Sequence, residues 1–288
     1  MPNLDTLVSD VYSLFDPKRP HEVNEENLET FTEGLKKILR HRLAEREVVD
    51  HALRFSSLGR KNRQHWYDAH SDGQEEELTS KTLLKFLYGD VIEALVLFLV
   101  KEADHTVEME QAEIEVQGVK GHIDALIDGK VVDVKSASPY GYKKFKQNDV
   151  VGNDPFGYVE QLSGYASVLT PNESAAWLAF DKVHGDLCVS PLSASVIADN
   201  DPLPRIEELK EVILLPEPPP RCYPDVEDGA SGNRKLGTAC SYCRHKNRCW
   251  PGLRTFLYAN TPRFLTVVAK TPNVPEVVAG DLVVAEDD

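Results

Sequence analysis

The spacing of apolar residues along the chain changes from helical to alternating and back. Apolar positions three and four residues apart are typical of a helix with one face in a core, whereas positions two apart are typical of a half-buried strand. On this basis the sequence predicts helices from about residue 25 into the low fifties, at 79–102, at 155–170 and within 202–220, and strands at 106–116, 175–181 and 185–191. The chain of 288 residues is long enough for two domains, or for one large domain with an appendage.

The stretch 121–137 carries the clearest local signal, which is that of a hairpin. Two alternating segments flank Asp128-Gly129, a pair typical of a two-residue turn. In that register Asp124 lies opposite Asp133 on one face of the ribbon, and apolar residues occupy the other face. Two facing carboxylates have Cβ atoms about 5 Å apart and repel each other, so a compensating cation is expected beside them.

The facing carboxylates of this hairpin are typical ligands for Mg²⁺ or Mn²⁺, which also accept phosphate oxygens from a substrate. The same register puts Lys135 on the carboxylate face, opposite His122. A lysine next to the cation can orient a water molecule or help to deprotonate it. The arrangement predicts metal-assisted phosphodiester hydrolysis. The alternative is a surface hairpin in which Asp133 and Lys135 form an ordinary ion pair.

Two neighbouring segments add polar groups to the same site. Glu93 lies in the otherwise apolar helix predicted at 79–102, where a buried carboxylate is costly unless something pairs with it. Tyr158, Gln161 and Tyr165 fall at positions i, i+3 and i+7 of the later helix and so share one face. We interpret Glu93 as a third metal ligand and the stripe as a contact for phosphates or for the lysine. A surface glutamate and a half-exposed helix face are the alternatives.

Four of the five cysteines lie close together towards the end of the chain. Cys240-x2-Cys243-x5-Cys249, preceded by Cys222, supplies four thiol groups, which is the ligand set of a [4Fe-4S] cluster or of tetrahedral Zn²⁺. In a chain that we expect not to be exported, such clustering is more typical of metal binding than of disulfides. Buried free cysteines are the alternative. The fifth residue, Cys188, lies in a predicted strand and is expected to be part of the core.

The net charge of −15, from 32 basic and 47 acidic residues, at first argues against a nucleic-acid partner. The acidic excess is concentrated in three segments that contain no Lys or Arg, at residues 22–33, 72–77 and 271–288. The basic residues cluster elsewhere, with eight of them in 229–275, which contains no acid, and smaller islands at 54–63 and at Lys143, Lys144 and Lys146. These islands predict a DNA-binding track, and solvated surface charge is the alternative.

The sequence gives no sign of membrane insertion or export. No stretch reaches the roughly 18 apolar residues of a membrane-spanning helix, and the N-terminus lacks the basic and then apolar pattern of a signal peptide. We therefore expect a cytoplasmic protein without a membrane partner, in a bacterium or in a phage-infected host cell.

The order of the polar motifs resembles the PD-(D/E)XK nuclease superfamily. Four motifs carry the resemblance over roughly residues 55–250: Gly89-x-x-x-Glu93, Gly121-x-x-Asp124, Asp133-Val134-Lys135 and Gln161-x-x-x-Tyr165. Within the superfamily the chain is most similar to the RecB-type branch, which includes the CRISPR-associated RecB-like exonucleases and phage recombination exonucleases. The resemblance implies an α/β fold with a mixed central β-sheet flanked by helices, that is, a restriction-endonuclease-like core. N-terminal helices would precede this core and a C-terminal cysteine module would follow it.

The resemblance also implies roles for individual residues. It makes Glu93, Asp124, Asp133 and the carbonyl of Val134 the metal ligands, and it assigns catalysis to Asp124, Asp133, Lys135, Gln161 and Tyr165. Some members of the RecB-type branch have His at the position of Glu93. His122 would lie next to the metal ligands without binding the metal itself. Relatives take the first cysteine of their iron–sulfur cluster from upstream of the core, where this chain has none. Cys222 would replace that cysteine, and Zn²⁺ instead of an iron–sulfur cluster stays an alternative. The segment with Ser57, Arg60 and Arg63 resembles the region that such enzymes use near DNA ends.

These features together predict a Mg²⁺- or Mn²⁺-dependent deoxyribonuclease. We expect an exonuclease that acts on DNA ends in recombination, repair or phage DNA metabolism, with a recombination or repair protein as a candidate partner. An endonuclease or an end-processing enzyme for integration is the alternative within the class, and a catalytically inactive DNA-binding scaffold is the alternative outside it. The expected DNA contacts are Arg60, Arg63, Lys143, Lys144 and Lys146. The predicted regions are an N-terminal helical region (1–78), the nuclease core (79–200), a connector with the cysteine module (201–262) and an acidic tail without fixed structure (263–288).

Overall fold

The computed structural model describes residues 2–44, 52–71, 79–259 and 261–277. Its helices are α1 (Leu7–Ser13), α2 (Glu25–Ala44), α3 (Asn62–Ala69), α4 (Ser80–Glu102), α5 (Pro139–Lys146), α6 (Tyr158–Leu169), α7 (Ala194–Asp199), α8 (Pro202–Val212), α9 (Thr238–Ser241) and α10 (Lys246–Cys249). Its strands are β1 (Val107–Glu108), β2 (Glu113–Val116), β3 (Val119–His122), β4 (Ala125–Ile127), β5 (Lys130–Ala137), β6 (Ala175–Asp181), β7 (Leu187–Leu192), β8 (Val226–Glu227), β9 (Arg234–Lys235), β10 (Arg254–Tyr258), β11 (Thr261–Val267) and β12 (Glu276–Val277).

The chain forms two compact units that alternate along the sequence. Unit 1 comprises Met1–Arg60 and Leu78–Glu208, and unit 2 comprises Lys61–Glu77 and Leu209–Asp288. These units differ from the predicted regions, because α3 belongs with the C-terminal residues and not with the N-terminal helices. Burial explains the difference, since Trp66 and Tyr67 of α3 pack in an apolar cluster with Val212.

The core of unit 1 is a mixed sheet. In the described part of the chain five strands form it in the order β1-β4-β5-β6-β7. Strands β5 and β6 are parallel, whereas the pairs β1–β4, β4–β5 and β6–β7 are antiparallel. The parallel pair follows from the crossover through α5 and α6, since parallel neighbours need a long connection. The predicted α/β fold with a mixed central sheet flanked by helices is confirmed.

Helices cover both faces of this sheet. Val134 and Leu178 lie in an apolar cluster with residues of α1 and α4. Successive residues of a strand point to opposite faces, so Lys135 and Trp177 point to the other face. There Trp177 contacts Phe145 of α5, and Lys135 contacts α6. The long alternation of polar and apolar residues in β5 therefore divides one strand between an apolar layer and a polar layer.

The hairpin register is confirmed in its central part. Ile127 pairs with Lys130 across the turn, and Asp128 and Gly129 both have positive φ, 50° and 77°, as a type I′ turn requires. The predicted pairing of His122 with Lys135 is wrong. Strand β4 begins only at Ala125, and His122 ends β3, where it pairs with Glu113 of β2 in a separate two-stranded ribbon.

Several predicted elements have different ends. The long N-terminal helix ends at Ala44 as α2, and residues 45–51 lie outside the described residues. The strand predicted at 106–116 is divided into β1 and β2, because Met109 and Gln111 have positive φ values of 54° and 52° that no strand accommodates. The strands predicted at 175–181 and 185–191 correspond to β6 and β7.

Unit 2 contains an antiparallel sheet and the cysteines of the C-terminal region. Among the described residues five strands form this sheet in the order β12-β10-β11-β9-β8. Residues 263–267 lie in β11 and residues 276–277 in β12, so part of the segment predicted as a tail belongs to the sheet. Residues 278–288 of that prediction lie outside the described residues. In the described ranges, every helix is too short or too polar to cross a bilayer.

Candidate active site and cysteine cluster

Asp124 and Asp133 lie one position beyond the last pair of the β4–β5 ladder, at the end of β4 that is away from the turn. Asp124 lies directly before β4, and its Oδ2 accepts a hydrogen bond of 2.7 Å from the main-chain N–H of Val134. Asp133 lies inside β5 and is 2% exposed. Burial, followed by the charges of Asp133 and Glu93, raises the pKa of Asp124 well above its ordinary value. Burial also raises the pKa of Asp133, against the opposing attraction of Lys135.

Lys135 provides the positive charge of the site. Its Nζ lies 2.6 Å from Asp133 Oδ2 and 4.9 Å from the centre of the Tyr158 ring. Burial would lower the pKa of this lysine, but the attraction of Asp133 and Asp124 outweighs it, so the pKa is raised. The lysine therefore stays protonated and can offer a charged donor to an anionic group.

Glu93 joins the two aspartates from α4. Its Oε1 accepts a hydrogen bond from Gln111 Nε2. Burial, followed by the charges of Asp133 and Asp90, raises the pKa of Glu93 to about 7. The charge of Asp133 thus raises the pKa values of both Asp124 and Glu93, and Glu93 contributes to the shift of Asp124. The three carboxylates are therefore close together, and one lysine offsets only part of their charge.

Gln161 and Tyr165 lie on α6 next to these groups. Gln161 hydrogen-bonds Tyr165, and burial raises the pKa of the Tyr165 phenol, with further contributions from Asp133 and Asp124. The Tyr165 ring stacks on Phe55 at 5.4 Å between centroids. A Cβ added at Gly121 would lie only 2.8 Å from Tyr165 Cε1. The glycine of the predicted Gly121-x-x-Asp124 motif thus makes room for the tyrosine of the last motif.

The donor set fits a hard divalent cation. Oxygen ligands from three carboxylates are the type that Mg²⁺ and Mn²⁺ prefer. Asp133 Oδ2 is buried, and Lys135 Nζ lies 2.6 Å from it. This one ammonium group leaves the charges of Asp124 and Glu93 to be compensated, and a buried charge without a partner is costly. Among the described residues, however, no group of three His, Cys, Asp or Glu side chains stands in a geometry that could hold a metal ion as it is. Gln111, Val134 and Lys135 each hold one oxygen of Glu93, Asp124 and Asp133, respectively.

The predicted DNA contacts lie on separate elements. Lys143 and Lys146 are exposed on α5, and Lys144 lies with its Nζ 5.3 Å from the ring centre of Tyr140. Arg60 belongs to unit 1, but Arg63 belongs to unit 2.

The guanidinium of Arg63 already has partners inside unit 2. It donates to the carbonyl of Pro219 and, at 3.0 Å, to the hydroxyl of Tyr67. A DNA contact by Arg63 stays a prediction, and it would have to compete with these two hydrogen bonds.

The four cysteines predicted to act together come close to one another in unit 2. They carry free thiols. Burial and then the neighbouring thiols Cys243, Cys222 and Cys249 raise the pKa of Cys240 to about 11. Burial, followed by Cys243 and Cys249, also raises the pKa of Cys222. All four border a cavity of about 20 Å³, and the role of Cys222 as the fourth ligand stays a prediction.

Helix α3 contributes one wall of the cysteine cavity. Gln64 donates a hydrogen bond of 3.5 Å to Cys243 Sγ. One turn further on, Asp68 accepts bonds from Arg244 Nη2 at 2.7 Å and pairs with His245 Nε2 at 2.6 Å. Burial opposes ionisation of Asp68, but the bonds from His245 and Arg244 prevail and lower its pKa to about 2. Asp68 therefore fixes α3 to the segment that carries Cys240 and Cys243.

Sequence reasoning missed two groups that surround the predicted metal ligands. Asp90 is three residues before Glu93 on the same helix face, a spacing that could have indicated it, and its carboxylate pairs with Arg42 at 2.6 Å. Gln111 lies in the irregular connection between β1 and β2, and no pattern in the sequence marks it. Cys188 lies in β7 of unit 1, apart from the cysteine set.

Comparisons with known proteins add the following. No family model matches the chain, and no curated protein matches it. Similar solved structures include a protein named SSO0001, 19% identical with a TM-score of 0.42 over 77% of this chain and 95% of that chain. They also include the alkaline exonuclease LHK-Exo from Laribacter hongkongensis, 12% identical with a TM-score of 0.39 over 62% of this chain and 94% of that chain. For LHK-Exo in complex with dAMP the TM-score is 0.36, at 12% identity and the same coverage. Likenesses of this size carry no argument about function, so we argue function from the geometry of the site.

Proposed function

We propose that the protein is a metal-dependent DNA nuclease that hydrolyses phosphodiester bonds. One observation carries the proposal: beyond the effect of burial, the charge of Asp133 raises the pKa values of both Asp124 and Glu93, while Lys135 Nζ lies 2.6 Å from Asp133. A purely structural ion pair needs one carboxylate for one lysine. An excess of buried and half-buried carboxylates beside one lysine is typical of a site that binds a divalent cation and a phosphate.

Each residue has a proposed task. Glu93, Asp124, Asp133 and the Val134 carbonyl would hold Mg²⁺ or Mn²⁺, which when bound supplies Lewis-acid stabilisation of charge on a phosphoryl group. Lys135, kept protonated by Asp133 and Asp124, would orient the attacking water and stabilise negative charge on the phosphate. Gln161 would hold the Tyr165 phenol, which burial keeps protonated and able to donate a hydrogen bond.

We further propose that the enzyme works from DNA ends. The test uses end-labelled linear DNA and closed circular DNA with Mg²⁺, Mn²⁺ or EDTA. Digestion of linear DNA alone, only with metal, is the expected result, and cutting of the circle would instead favour an endonuclease or an end-processing enzyme. If DNA is bound but stays intact with every metal, the catalytic proposal fails and a DNA-binding scaffold is left.

For the cysteine set we propose a structural metal centre, a [4Fe-4S] cluster with Zn²⁺ as the alternative. The support is the convergence of four thiols on one cavity lined by Gln64 and other residues of unit 2. Binding of either metal would remove the proton from each thiol and compensate the burial and the mutual repulsion that raise the pKa of Cys240. Visible absorption near 400 nm together with elemental analysis separates iron–sulfur from zinc, and a purified protein with neither metal would contradict the proposal.

A further inference from the structure

A row of aromatic rings leads from the core of unit 1 to its surface. Ring centroids of Trp177 and Phe145 are 6.0 Å apart, those of Phe145 and Tyr158 6.2 Å, and those of Tyr158 and Phe156 5.6 Å. Trp177 and Phe145 are buried, whereas Phe156 is 48% exposed. Trp177 and Phe145 lie in the core, and Tyr158 lies between Phe145 and Phe156. The row therefore ends at the surface with the exposed ring of Phe156.

The open end of this row is next to the candidate active site. Tyr158, the neighbour of Phe156, has Lys135 Nζ 4.9 Å from its ring centre. Lys135 in turn contacts Asp133 at 2.6 Å. Only one ring thus separates the exposed ring of Phe156 from the lysine that would meet a phosphate.

The loop that presents Phe156 is held firmly. The Asp154 carboxylate accepts hydrogen bonds from the main-chain N–H groups of Phe156, Gly157 and Val159, at 3.0, 2.9 and 2.8 Å. Gly157 has a φ of +81°, and a Cβ added there would lie 2.6 Å from the Cα of Gly59. A single exposed apolar side chain is common on protein surfaces. Phe156 differs because the main chain that carries it is held by hydrogen bonds beside the candidate active site, so less entropy is lost from this loop when a ligand stacks on the ring.

We propose that Phe156 is a stacking platform for an unpaired base of the DNA strand whose phosphate lies at Lys135. The inference rests on the proposed function and specifies which substrate form it accepts. Lys135 Nζ is 4.9 Å from the Tyr158 ring centre, and the ring centres of Tyr158 and Phe156 are 5.6 Å apart. A strand with one phosphate at Lys135 can therefore bring a nearby base to Phe156. Purine and pyrimidine bases both offer a ring face, so stacking of this kind tolerates any sequence. It selects against a paired base, whose faces are already covered by its neighbours in the duplex.

The test measures binding of the full-length protein to oligonucleotides that carry 2-aminopurine at the terminal position, with EDTA present to prevent cleavage. Phe156→Ala is expected to weaken binding of a single strand roughly tenfold, in line with alanine substitution of stacking residues. Phe156→Trp should retain binding and quench 2-aminopurine fluorescence. Phe15→Ala is the matched control, since Phe15 is 66% exposed in unit 1 but has no place in the aromatic row. This control should bind as the wild type does.

Three outcomes would overturn the inference. One is unchanged affinity of Phe156→Ala for the single strand, and another is an equal loss for single strands and fully paired duplexes. The third is that Phe156→Ala turns a dimer into a monomer in sedimentation without changing DNA affinity, which would make the ring a contact between two copies. Failure of the proposed function is a separate result. If the wild type cleaves DNA with neither Mg²⁺ nor Mn²⁺ and Phe156→Ala loses binding, the result supports the platform and contradicts the nuclease. A wild type that cleaves, together with a Phe156→Ala that binds and cleaves equally well, contradicts the platform alone.

Discussion

Lys135 Nζ lies 2.6 Å from Asp133 Oδ2, and the two residues are neighbours on the same face of one strand. Strand geometry alone brings them together, because residues two positions apart project from the same side. The lysine compensates a single carboxylate, while Asp124 and Glu93 add two more to the same volume. This imbalance makes the site unfavourable for the stability of the fold.

Asp124→Asn is expected to abolish cleavage and, at the same time, to stabilise the fold. The amide keeps an oxygen for the N–H of Val134, which now bonds Asp124 Oδ2 at 2.7 Å, but removes a buried charge next to Asp133 and Glu93. We expect Tm in EDTA to rise by about 2 °C, corresponding to roughly 1 kcal/mol for a protein of this size. Scanning calorimetry measures the Tm, and the digestion assay measures cleavage. The control is Glu108→Gln, an exposed change on β1 that should alter neither the Tm nor cleavage. A lowered Tm in Asp124→Asn would show that the carboxylate stabilises the fold.

Stability of unit 2 is expected to fall at low pH through Asp68. Its pKa is lowered from an ordinary value of 3.8 to about 2 by its bonds to His245 and Arg244, against the effect of burial. A lowered folded-state pKa contributes stability that is fully present above the unfolded value and is lost as pH falls through the folded value. The contribution is about 2 kcal/mol, and it should vanish between pH 3.8 and about 2.

Urea unfolding of the wild type and Asp68→Asn between pH 6 and pH 2 measures this contribution. The free-energy difference between the two proteins should be constant at the upper end of the range and shrink below the ordinary aspartate pKa. A difference that does not depend on pH would mean that the Asp68 carboxylate acts only through packing.

Cys222→Ser is expected to release most of the bound iron or zinc, whereas Cys188→Ser should leave the metal content unchanged. The comparison is well matched, because both thiols are half-buried and burial is the first cause that raises either pKa. The pKa of Cys222 is raised further by the neighbouring thiols Cys243 and Cys249, whereas Cys188 lies in β7 beside Tyr142. Elemental analysis of both purified variants decides the matter. Equal metal content in the two would remove Cys222 from the ligand set.

Gly164→Ala and Gly34→Ala should change stability in opposite directions. A Cβ at Gly164 would lie 2.8 Å from Phe55 Cδ1, and the fully buried ring cannot give way. Overpacking of this kind costs about 1–3 kcal/mol, so Tm should fall by roughly 5 °C. Gly34 lies inside α2 with open space around it, and alanine there should gain about 0.5–1 kcal/mol. Thermal unfolding of both variants tests the pair, and a stable Gly164→Ala would imply that Phe55 and Tyr165 can move.

Much of the fold and of the carboxylate site could be predicted from periodicity and turn chemistry. The Asp128-Gly129 turn fixes the register, and the register brings Asp124 and Asp133 together. The pairing of His122 was wrong because a hairpin pattern does not show where the ladder stops. Strand β3 instead pairs with β2, a choice that depends on two backbone bends at Met109 and Gln111.

Other features could not be predicted because they depend on tertiary contacts. The hydrogen bond from Gln111 to Glu93 connects an irregular segment to a helix. The contact between Gln64 and Cys243 connects residues that are far apart in the sequence. The positive charge of Arg63 suggested a DNA contact, but the sequence does not show that its guanidinium already donates to Pro219 and Tyr67. Amphipathic patterns identify which face of a helix is buried, but they do not say which part of the chain buries it.

The division of unit 2 between Lys61–Glu77 and Leu209–Asp288 also sets the order in which the protein can be completed during synthesis. Helix α3 leaves the ribosome early, yet Cys222, Cys240, Cys243 and Cys249 follow only after the whole sheet of unit 1 has been made. At usual translation rates this delay is on the order of ten seconds. The sheet of unit 1 can therefore form while Trp66 and Tyr67 still lack their packing partners. If the proposed metal centre forms at the cysteines, metal insertion would be the last step of maturation. A C-terminal fragment that begins at Leu209 would lack α3 and with it one wall of the cysteine cavity.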